Sequence, residues 1–384
     1  MLLQLQVFIL PLLLLTLASA DLLQNPSFES PPSNLPTDSK SPFVLLNKNN
    51  TIPGWTFEGT VLYVTADETI SLPNNGHAVQ LGEDGIINQT FLASADYLRY
   101  VLTFTIAPPD QNQNCSDNAD IVISAPDSKG VFSLKQPYGK ETWESYGHYL
   151  GSWGDGESIN LVIHSQADDS NTSSICWPVI DELLIKSMPK LVQGNENLLL
   201  NGGFEYGPEF LSSSTEGILI EPAPSVVQSP LQEWSVLGTV NYIDSKHFFV
   251  PQGNAAIEIV STGIQTSASL KEGSSYSLGF TLGDANNSCV EDFFVAAQAG
   301  STVQNFTLPS KGTGSAKKFS MKFKADSSVT TISFLSFTDS QTKDGILCGP
   351  IVDDVVLRVS SGMKPDIQWT VLVFLYFAAF ITFY

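Results

Sequence analysis

The chain contains the same series of motifs twice. Three motif pairs occur in the same order and roughly 175 residues apart: Asn25-Pro-Ser-Phe-Glu29 with Asn201-Gly-Gly-Phe-Glu205, Trp55-Thr-Phe-Glu-Gly-Thr-Val61 with Trp234-Ser-Val-Leu-Gly-Thr-Val240, and Ile175-Cys-Trp-Pro-Val-Ile-Asp181 with Leu347-Cys-Gly-Pro-Ile-Val-Asp353. This ordered recurrence predicts two copies of one domain. Residues found in both copies are candidates for the shared scaffold, and residues found in one copy are better candidates for a specific function.

Residues 1–20 are an apolar run that ends in Ala18-Ser19-Ala20. Small residues at these positions are typical of a secretory signal peptide that is cleaved before Asp21. The run contains no lysine or arginine, which departs from the usual pattern, and a buried N-terminal helix is the alternative interpretation. We therefore expect an exported protein.

A second apolar segment, Trp369–Tyr384, follows the small residues Ser360-Ser361-Gly362 and a short polar stretch. Small site, spacer and hydrophobic tail form the pattern of a glycosylphosphatidylinositol (GPI) anchor signal, with lipidation expected at Ser360 or the next residue. The mature protein would then be secreted to the cell wall or the outer face of the plasma membrane, and only the lipid anchor would contact the membrane. A retained span and a simply secreted tail are the alternatives.

Removal of both ends leaves residues 21–360, a length that suits two domains better than one sandwich. The predicted organisation is a signal peptide at 1–20, a first β-sandwich at 21–187, a linker at 188–197, a second β-sandwich at 198–360 and a C-terminal propeptide at 361–384.

The net charge of −21 lies in this ectodomain. Such a surface repels phosphate, which argues against a nucleic-acid partner. It also argues against simple ionic adhesion to acidic polysaccharide. Basic protein partners or divalent cations would be attracted to it, and solubility in an acidic extracellular medium is the alternative explanation.

The four cysteines fall two in each copy, and an even number in an exported chain predicts disulfides. Because a duplicated domain should carry its own bridge, the repeat favours Cys115–Cys176 and Cys289–Cys348 over the other pairings. No paired CxxC or HxxxH spacing supports zinc.

Six Asn-x-Ser/Thr sequons in the ectodomain are candidate N-glycosylation sites, and each needs an exposed position if it is used. They are Asn49, Asn88, Asn114, Asn171, Asn286 and Asn305.

Helical periodicity is scarce, and short segments rich in aromatic and β-branched residues alternate with turn residues. Tyr97–Ile106 in copy one matches Tyr276–Leu282 in copy two, and Ser158–His164 matches Val329–Leu335. Many short strands at this spacing predict an all-β fold with two tandem β-sandwich domains of the jelly-roll type.

These motifs resemble those of the DUF642 family of plant cell-wall proteins. The resemblance covers essentially the whole ectodomain and rests on the paired Asn-x-x-Phe-Glu openings, on Ile52-Pro-Gly-Trp55, on Gly76-His-Ala-Val-Gln-Leu81 and on the paired Cys-x-Pro-x-x-Asp closings. It implies two galactose-binding-like domains, secretion to the wall and association with polysaccharide. It also implies interaction with pectin methylesterases, which would tune pectin de-esterification without catalysing it. The anchor-like tail departs from the commoner family pattern.

A second resemblance suggests a structural calcium ion in each copy. In carbohydrate-binding jelly rolls that open with Asn-x-x-Phe-Glu, the Glu and a late-strand Asp share calcium with backbone carbonyls. This role would fall to Glu29 with Asp181, and to Glu205 with Asp353. Carboxylate and carbonyl oxygens suit Ca²⁺. Alternatively, the two glutamates accept hydrogen bonds from turn amides near the N-terminal strand.

One aromatic-rich stretch, Tyr138–Trp153, occurs in copy one only, because its counterpart near Lys317–Ala325 lacks these rings. Flat rings can stack on the apolar faces of sugars while their polar neighbours bind hydroxyls. The candidate carbohydrate-binding residues are Trp143, Tyr146, Tyr149, Trp153 and Trp177. The alternative is a hydrophobic cluster that closes one end of the sandwich.

The sequence predicts no catalytic residues. It contains no HExxH, GxSxG or glycine-rich phosphate loop, and no cysteine is left as a nucleophile once the bridges form. We therefore expect a non-catalytic protein that binds wall polysaccharide and a basic wall enzyme, most plausibly a pectin methylesterase. The alternatives are a lectin-like module without an enzyme partner and a carbohydrate-active enzyme.

Overall fold

The structure is a computed structural model that describes residues 22–35, 41–68, 70–94, 98–108, 117–134, 142–167, 175–194, 196–223, 225–338 and 340–360. Among these residues, the only helical elements are two short 3₁₀ turns, Pro73–Asn75 and Val226–Gln228.

The described part of copy one contains thirteen strands: β1 Phe43–Leu45, β2 Thr56–Glu58, β3 Val61–Thr65, β4 His77–Leu81, β5 Ile86–Leu92, β6 Leu98–Ala107, β7 Asp117–Asn118, β8 Asp120–Ala125, β9 Ser128–Phe132, β10 Glu144–Trp153, β11 Ser158–Gln166, β12 Ile175–Cys176 and β13 Val179–Met188.

Copy two contains the other thirteen: β14 Ile218–Ile220, β15 Ser235–Val236, β16 Val240–Asp244, β17 Ala255–Ile259, β18 Gly263–Ser269, β19 Ser275–Asp284, β20 Asp292–Ala299, β21 Thr302–Pro309, β22 Ser315–Lys324, β23 Val329–Ser336, β24 Ser340–Gln341, β25 Leu347–Cys348 and β26 Ile351–Val359.

Each copy is a sandwich of two sheets. In copy one, strands β1-β3-β4-β13-β6-β10 face the sheet β2-β5-β11-β8-β9, and in copy two β14-β16-β17-β26-β19-β22 face β15-β18-β23-β20-β21. The two orders correspond strand for strand, so that β1 matches β14 and β10 matches β22. The predicted all-β fold of two tandem β-sandwiches is confirmed.

The two sandwiches are joined through one strand pair. β10 and β14 pair in parallel, with Ser145 opposite Ile218 and Tyr146 opposite Leu219. This pairing fuses the two larger sheets into one 12-stranded sheet, which has β1 and β22 at its ends.

Alternation along the strands builds the two cores. In β11, Ile159, Leu161 and Ile163 are buried, whereas the residues between them are exposed or half-buried. Each core contains a central phenylalanine with one edge-on and one stacked neighbour: Phe104 with Phe132 and Tyr146, and Phe280 with Phe306 and Phe319. Burial of each such ring stabilises the fold by about 1.5–3 kcal/mol.

Candidate functional site

The opening motif of copy one is attached to its core by two side chains. Trp55 Nε1 donates to the carbonyl oxygen of Asn25 at 3.1 Å, and the Tyr63 hydroxyl donates to that of Phe28 at 3.0 Å. Asn25 and Phe28 have φ values of 50° and 55°, a left-handed conformation that is uncommon for residues with a side chain. The hydrogen bonds therefore hold a turn that the local sequence alone would not favour.

Copy two repeats this arrangement. Trp234 Nε1 donates to Asn201 O at 3.0 Å, and the Tyr242 hydroxyl donates to Phe204 O at 2.8 Å. The φ values of Asn201 and Phe204 are 51° and 56°. The Asn-x-x-Phe turn thus belongs to the scaffold that both copies share.

The two motif glutamates contact equivalent turn amides. Glu29 Oε1 accepts from the main-chain N–H of His77 at 2.8 Å, and Glu205 Oε1 accepts from that of Asn254 at 2.8 Å. A glycine precedes each amide, and a Cβ at Gly76 or Gly253 would lie 1.9 Å from the carboxylate oxygen. The turn-amide contact expected as the alternative to calcium binding is therefore present in both copies.

A buried acidic cluster lies beside Glu29. Asp181 is only 2% exposed, and its Oδ1 accepts from the Glu182 main-chain N–H at 2.7 Å. Burial raises the pKa of Asp181 well above its usual value, and repulsion from Glu182 and Glu29 adds to this. Burial also raises the pKa of Glu182, although a hydrogen bond from Ser213 opposes the change. These carboxylates line a cleft of about 480 Å³ that the 211–212 segment of copy two also lines.

The matching place in copy two contains a cation. Asp353 is fully buried, and it accepts from the main-chain N–H groups of Asp354 at 2.6 Å and Gln252 at 2.8 Å. Burial raises the pKa of Asp353 to about 7. Lys318 Nζ lies 2.9 Å from Asp354 Oδ2 and neutralises that carboxylate. The residue of copy one that is equivalent to Lys318 is Ser145, which pairs with Ile218 of β14.

Both predicted carboxylate pairs come close together. Glu29 and Asp181 line one cleft, and Glu205 contributes to the raised pKa of Asp353. Within the described part of the chain, no group of three or more His, Cys, Asp or Glu side chains could hold a metal ion. Calcium binding stays a prediction, because any further ligands would have to be backbone or amide oxygens or water.

Three of the predicted carbohydrate-binding rings are buried. Tyr146 is 1% exposed, and Tyr149 and Trp153 are each 5% exposed. The Tyr146 hydroxyl donates to Glu144 Oε2 at 2.7 Å, and the Arg99 guanidinium lies 4.8 Å from the centre of the Tyr149 ring. Tyr146 and Trp153 belong to the core of copy one, and Tyr149 packs in a separate small cluster with Val101 and Met188. The alternative interpretation, a hydrophobic cluster, describes these three residues.

The other two rings are half-buried. Trp143 packs beside a small core cluster that includes Val64, and its Nε1 is buried without a hydrogen-bond partner among the described residues. Trp177 follows β12, and its carbonyl oxygen accepts from Gln80 Nε2 at 2.8 Å. Tyr138 lies outside the described residues.

An exposed aromatic pair on copy two was not anticipated from the sequence. Phe294, on β20 of the smaller sheet, and Phe337, which directly follows β23, are 50% and 71% exposed. The Phe337 N–H donates to Phe294 O at 3.1 Å, and the Phe294 N–H donates to Thr338 Oγ1 at 3.0 Å. Thr307 lies opposite Phe294 on β21. We name Phe294 and Phe337 the outer-face pair.

The disulfide predicted for copy two is present, with Cys289 and Cys348 2.02 Å apart at sulfur. In copy one Cys176 is disulfide-bonded, and Cys115 lies outside the described residues.

Four of the six sequons can be located. Asn49, Asn286 and Asn305 are exposed, and Asn88 is half-buried in the middle of β5, where its Oδ1 accepts from Thr56 Oγ1 at 2.7 Å. Asn114 and Asn171 lie outside the described residues.

The four histidines occupy unrelated environments. His247 Nδ1 lies 3.0 Å from Asp244 Oδ1, His77 contacts Thr65 and His164 contacts a backbone carbonyl. Burial lowers the pKa of His148 to about 4, so this ring is neutral at ordinary pH.

Ser360 is the last described residue, and the predicted tail 361–384 lies beyond it. Over the described ranges, the search for an apolar helix of membrane-spanning length returned none.

Comparisons with solved structures return β-rich proteins with low overall superposition scores. The CBM22-1–CBM22-2 tandem domain from Paenibacillus barcinonensis Xyn10C is 12% identical with a TM-score of 0.26, and the match covers 85% of this chain and all of that one. TmCBM61, solved with β-1,4-galactotriose, is 15% identical with a TM-score of 0.28 over 44% of this chain and all of that one. The β-sandwich assignment therefore stands on the strand order.

Sequence comparisons identify relatives at higher identity. Two Arabidopsis thaliana proteins are similar over most of their length. Protein DUF642 L-galactono-1,4-lactone-responsive gene 2 is 35% identical over 348 residues, which are 88% of this chain and 90% of the relative, and Protein TEEBE is 31% identical over 323 residues, or 81% and 85%. The family model described as "Protein of unknown function (DUF642)" matches residues 21–186 and 197–358. The chain belongs to the DUF642 family.

Proposed function

We propose that this protein binds plant cell-wall polysaccharide without chemical action on it, and that it modulates a basic wall enzyme, a pectin methylesterase. The observation that carries the polysaccharide part is the outer-face pair, Phe294 and Phe337.

The pair has the chemistry that sugar binding requires. Its rings are large, apolar and open to solvent, and two hydrogen bonds connect Phe294 of β20 to residues 337 and 338, which follow β23. The axial C–H faces of a pyranose stack on such rings, and hydroxyl or amide side chains beside them bind the equatorial hydroxyls. Thr307, opposite Phe294, and Thr338, next to Phe337 in the chain, supply such groups.

The test is a wall-polysaccharide pull-down with the double variant Phe294→Ala/Phe337→Ala. We expect binding to weaken by about tenfold or more, because two stacking surfaces are lost. Val329→Ala is the matched control, since Val329 is 63% exposed at the other end of β23. Equal binding by the double variant and the parent would refute this site. A Trp143→Ala/Trp177→Ala variant tests the half-buried pair in the same assay.

The acidic surface supports a basic enzyme partner. A net charge of −21 attracts a cationic protein and accelerates its encounter with this one. Binding to a pectin methylesterase should therefore weaken as salt rises to about 0.3 M, because ionic screening shortens the range of the attraction. The measurement is methylesterase activity with and without the protein at each salt concentration. Unchanged activity together with polysaccharide binding would leave a lectin-like module.

Calcium forms a separate part of the proposal. In copy one, burial and, to a lesser extent, repulsion from Glu29 raise the pKa values of Asp181 and Glu182, and a divalent cation would relieve this repulsion. Millimolar calcium should raise the unfolding temperature of the parent and not that of Asp181→Asn. No shift in the parent would leave Glu29 and Glu205 as partners of turn amides only.

The proposed location is the wall side of the plasma membrane, reached through a cleaved signal peptide and held by a GPI anchor at Ser360. Release from membranes by a phosphatidylinositol-specific phospholipase tests this anchor. Persistence in the membrane fraction after treatment would contradict it.

A further inference from the structure

The two copies are joined by the pairing of β10 with β14, and strands equivalent to these two form the two edges of the 12-stranded sheet. Inside the chain, β14 of copy two lies along β10 of copy one, with Ile218 opposite Ser145 and Leu219 opposite Tyr146. Leu219 is 3% exposed and belongs to the core of copy one, although it comes from copy two. Copy one therefore needs a leucine from its neighbour to cover the open side of its core.

β22, the strand that matches β10 in copy two, has no second strand partner among the described residues. Phe319 of β22 stacks on Phe280 as Tyr146 stacks on Phe104, so Phe319 holds the position of Tyr146. Tyr146 is 1% exposed, whereas Phe319 is only half-buried and has the Lys317 ammonium 5.2 Å from its ring centre. The open side of this core has a lysine side chain over it in place of a strand.

β1, the strand that matches β14 in copy one, likewise pairs with one strand only in the part of the chain that the structure describes. β1 pairs with β3 as β14 pairs with β16, with Val44 opposite Tyr63 where Ile218 lies opposite Tyr242. Leu45 therefore holds the position of Leu219. Leu45 is 57% exposed.

We propose that β22 of one molecule pairs in parallel with β1 of a second copy of this chain. Lys318 would lie opposite Val44 and Phe319 opposite Leu45, which reproduces the β10–β14 junction between molecules. The leucine of the second copy would cover Phe319 as Leu219 covers Tyr146. Because the two faces differ and do not close on themselves, the association is head-to-tail and open-ended.

Charge favours the pairing of β22 with β1 over the pairing of one β22 strand with another. β22 contains four lysines, Lys317, Lys318, Lys322 and Lys324, in a chain whose net charge is −21. Lysines on an edge strand prevent two β22 edges from pairing with each other. They attract the acidic remainder of a second molecule, and β1 carries no charged residue of its own.

The experiment is a mixing test by analytical ultracentrifugation with protein expressed from the full sequence. The parent should show an average mass that rises with concentration. Leu45→Glu disables the β1 face, and Phe319→Glu disables the β22 face, so each variant alone should stay monomeric. An equimolar mixture should form dimers and nothing larger, because each variant keeps the face that the other lacks.

A second β22 variant, Lys317→Glu/Lys322→Glu, keeps Phe319 and the core intact, and its association should weaken by about tenfold or more. Val359→Glu, at an exposed site on β26, is the control and should associate like the parent. A monomeric parent at every concentration, or a mixture that stays monomeric, would overturn the proposal. A monomeric parent whose β22 binds a synthetic peptide of residues 205–221 would overturn it too and would indicate the strand of another protein as the occupant.

Discussion

The two copies keep one hydrogen-bond network and differ in what surrounds it. Trp55 and Trp234 donate to equivalent carbonyl oxygens in the two copies, and the two motif glutamates accept from equivalent turn amides. By contrast, Lys318 neutralises a carboxylate in copy two, whereas its counterpart Ser145 is covered by β14. Ser145 is only 2% exposed where β14 pairs with β10, whereas the Lys318 side chain is 78% exposed on the β22 edge. The comparison shows that the domain junction, more than the fold, determines which residues each copy can use.

The strongest test of this equivalence is removal of the two tryptophans. Trp55→Ala and Trp234→Ala should each lower the free energy of unfolding by about 3–5 kcal/mol, through a cavity and a lost hydrogen bond. Trp234 is 0% exposed and Trp55 is 4% exposed, so their costs should be similar. Urea unfolding of both variants measures this. A large loss in one copy with none in the other would break the equivalence.

The buried aspartate of each copy should make the free energy of unfolding depend on pH. The folded-state pKa of Asp353 is raised to about 7 by burial, above its unfolded value of 3.8, so its protonated form stabilises the protein. That stability is fully present below pH 3.8 and is lost as pH rises through about 7. At about 1.4 kcal/mol per pKa unit, the rise from 3.8 to about 7 corresponds to a loss on the order of 4 kcal/mol.

Asp353→Asn should flatten this part of the stability–pH curve, and Asp181→Asn should do the same in copy one, where the pKa is also raised. The measurement is urea unfolding between pH 4 and pH 8. Curves that keep the parent's slope would show that these carboxyls ionise in the folded protein as they do in the unfolded chain.

The glycines beside the motif glutamates sharpen the comparison further. A methyl group at Gly76 or Gly253 would displace the glutamate from its turn amide, at a cost of about 1–3 kcal/mol. Gly253 also has a φ of +74°, which strains any other residue, whereas Gly76 has a φ of −94°. Thermal unfolding should therefore show Gly253→Ala to be the less stable variant. The reverse order would mean that the clash with the glutamate outweighs backbone strain.

Much of this architecture could be predicted from the sequence, because motifs that occur in both copies indicate residues of the shared fold. Segments that the sequence predicted to be strands, such as His77–Leu81, were found where they were expected. The copy-two disulfide followed from the repeat. The aromatic stretch was harder to interpret, since composition does not distinguish a ring that faces the core from one that faces solvent.

Two features were missed for physical reasons. Phe293 and Phe294 are adjacent in one strand, so one of them had to face outward, but only the fold shows which sheet face is open. The three-residue strand β14 pairs with a partner some seventy residues away in the chain. Local pattern contains no information about such a pairing.

The smallest expected effect concerns Lys318. Lys318→Met removes its ion pair with Asp354 but keeps most of the side-chain volume, and the lysine side chain is 78% exposed. Exposed pairs contribute only about 0.2–1 kcal/mol, so the loss of stability should fall in that range and shrink as salt is added.

Glu182→Gln is the matched change in copy one. It removes a charge that repels Asp181 and that forms no ion pair with any described lysine. We therefore expect it to leave stability unchanged or to raise it slightly in thermal unfolding. A loss as large as that of Lys318→Met would mean that the hydrogen bond from Ser213 outweighs this repulsion, and that the two carboxylates are balanced in the same way in both copies.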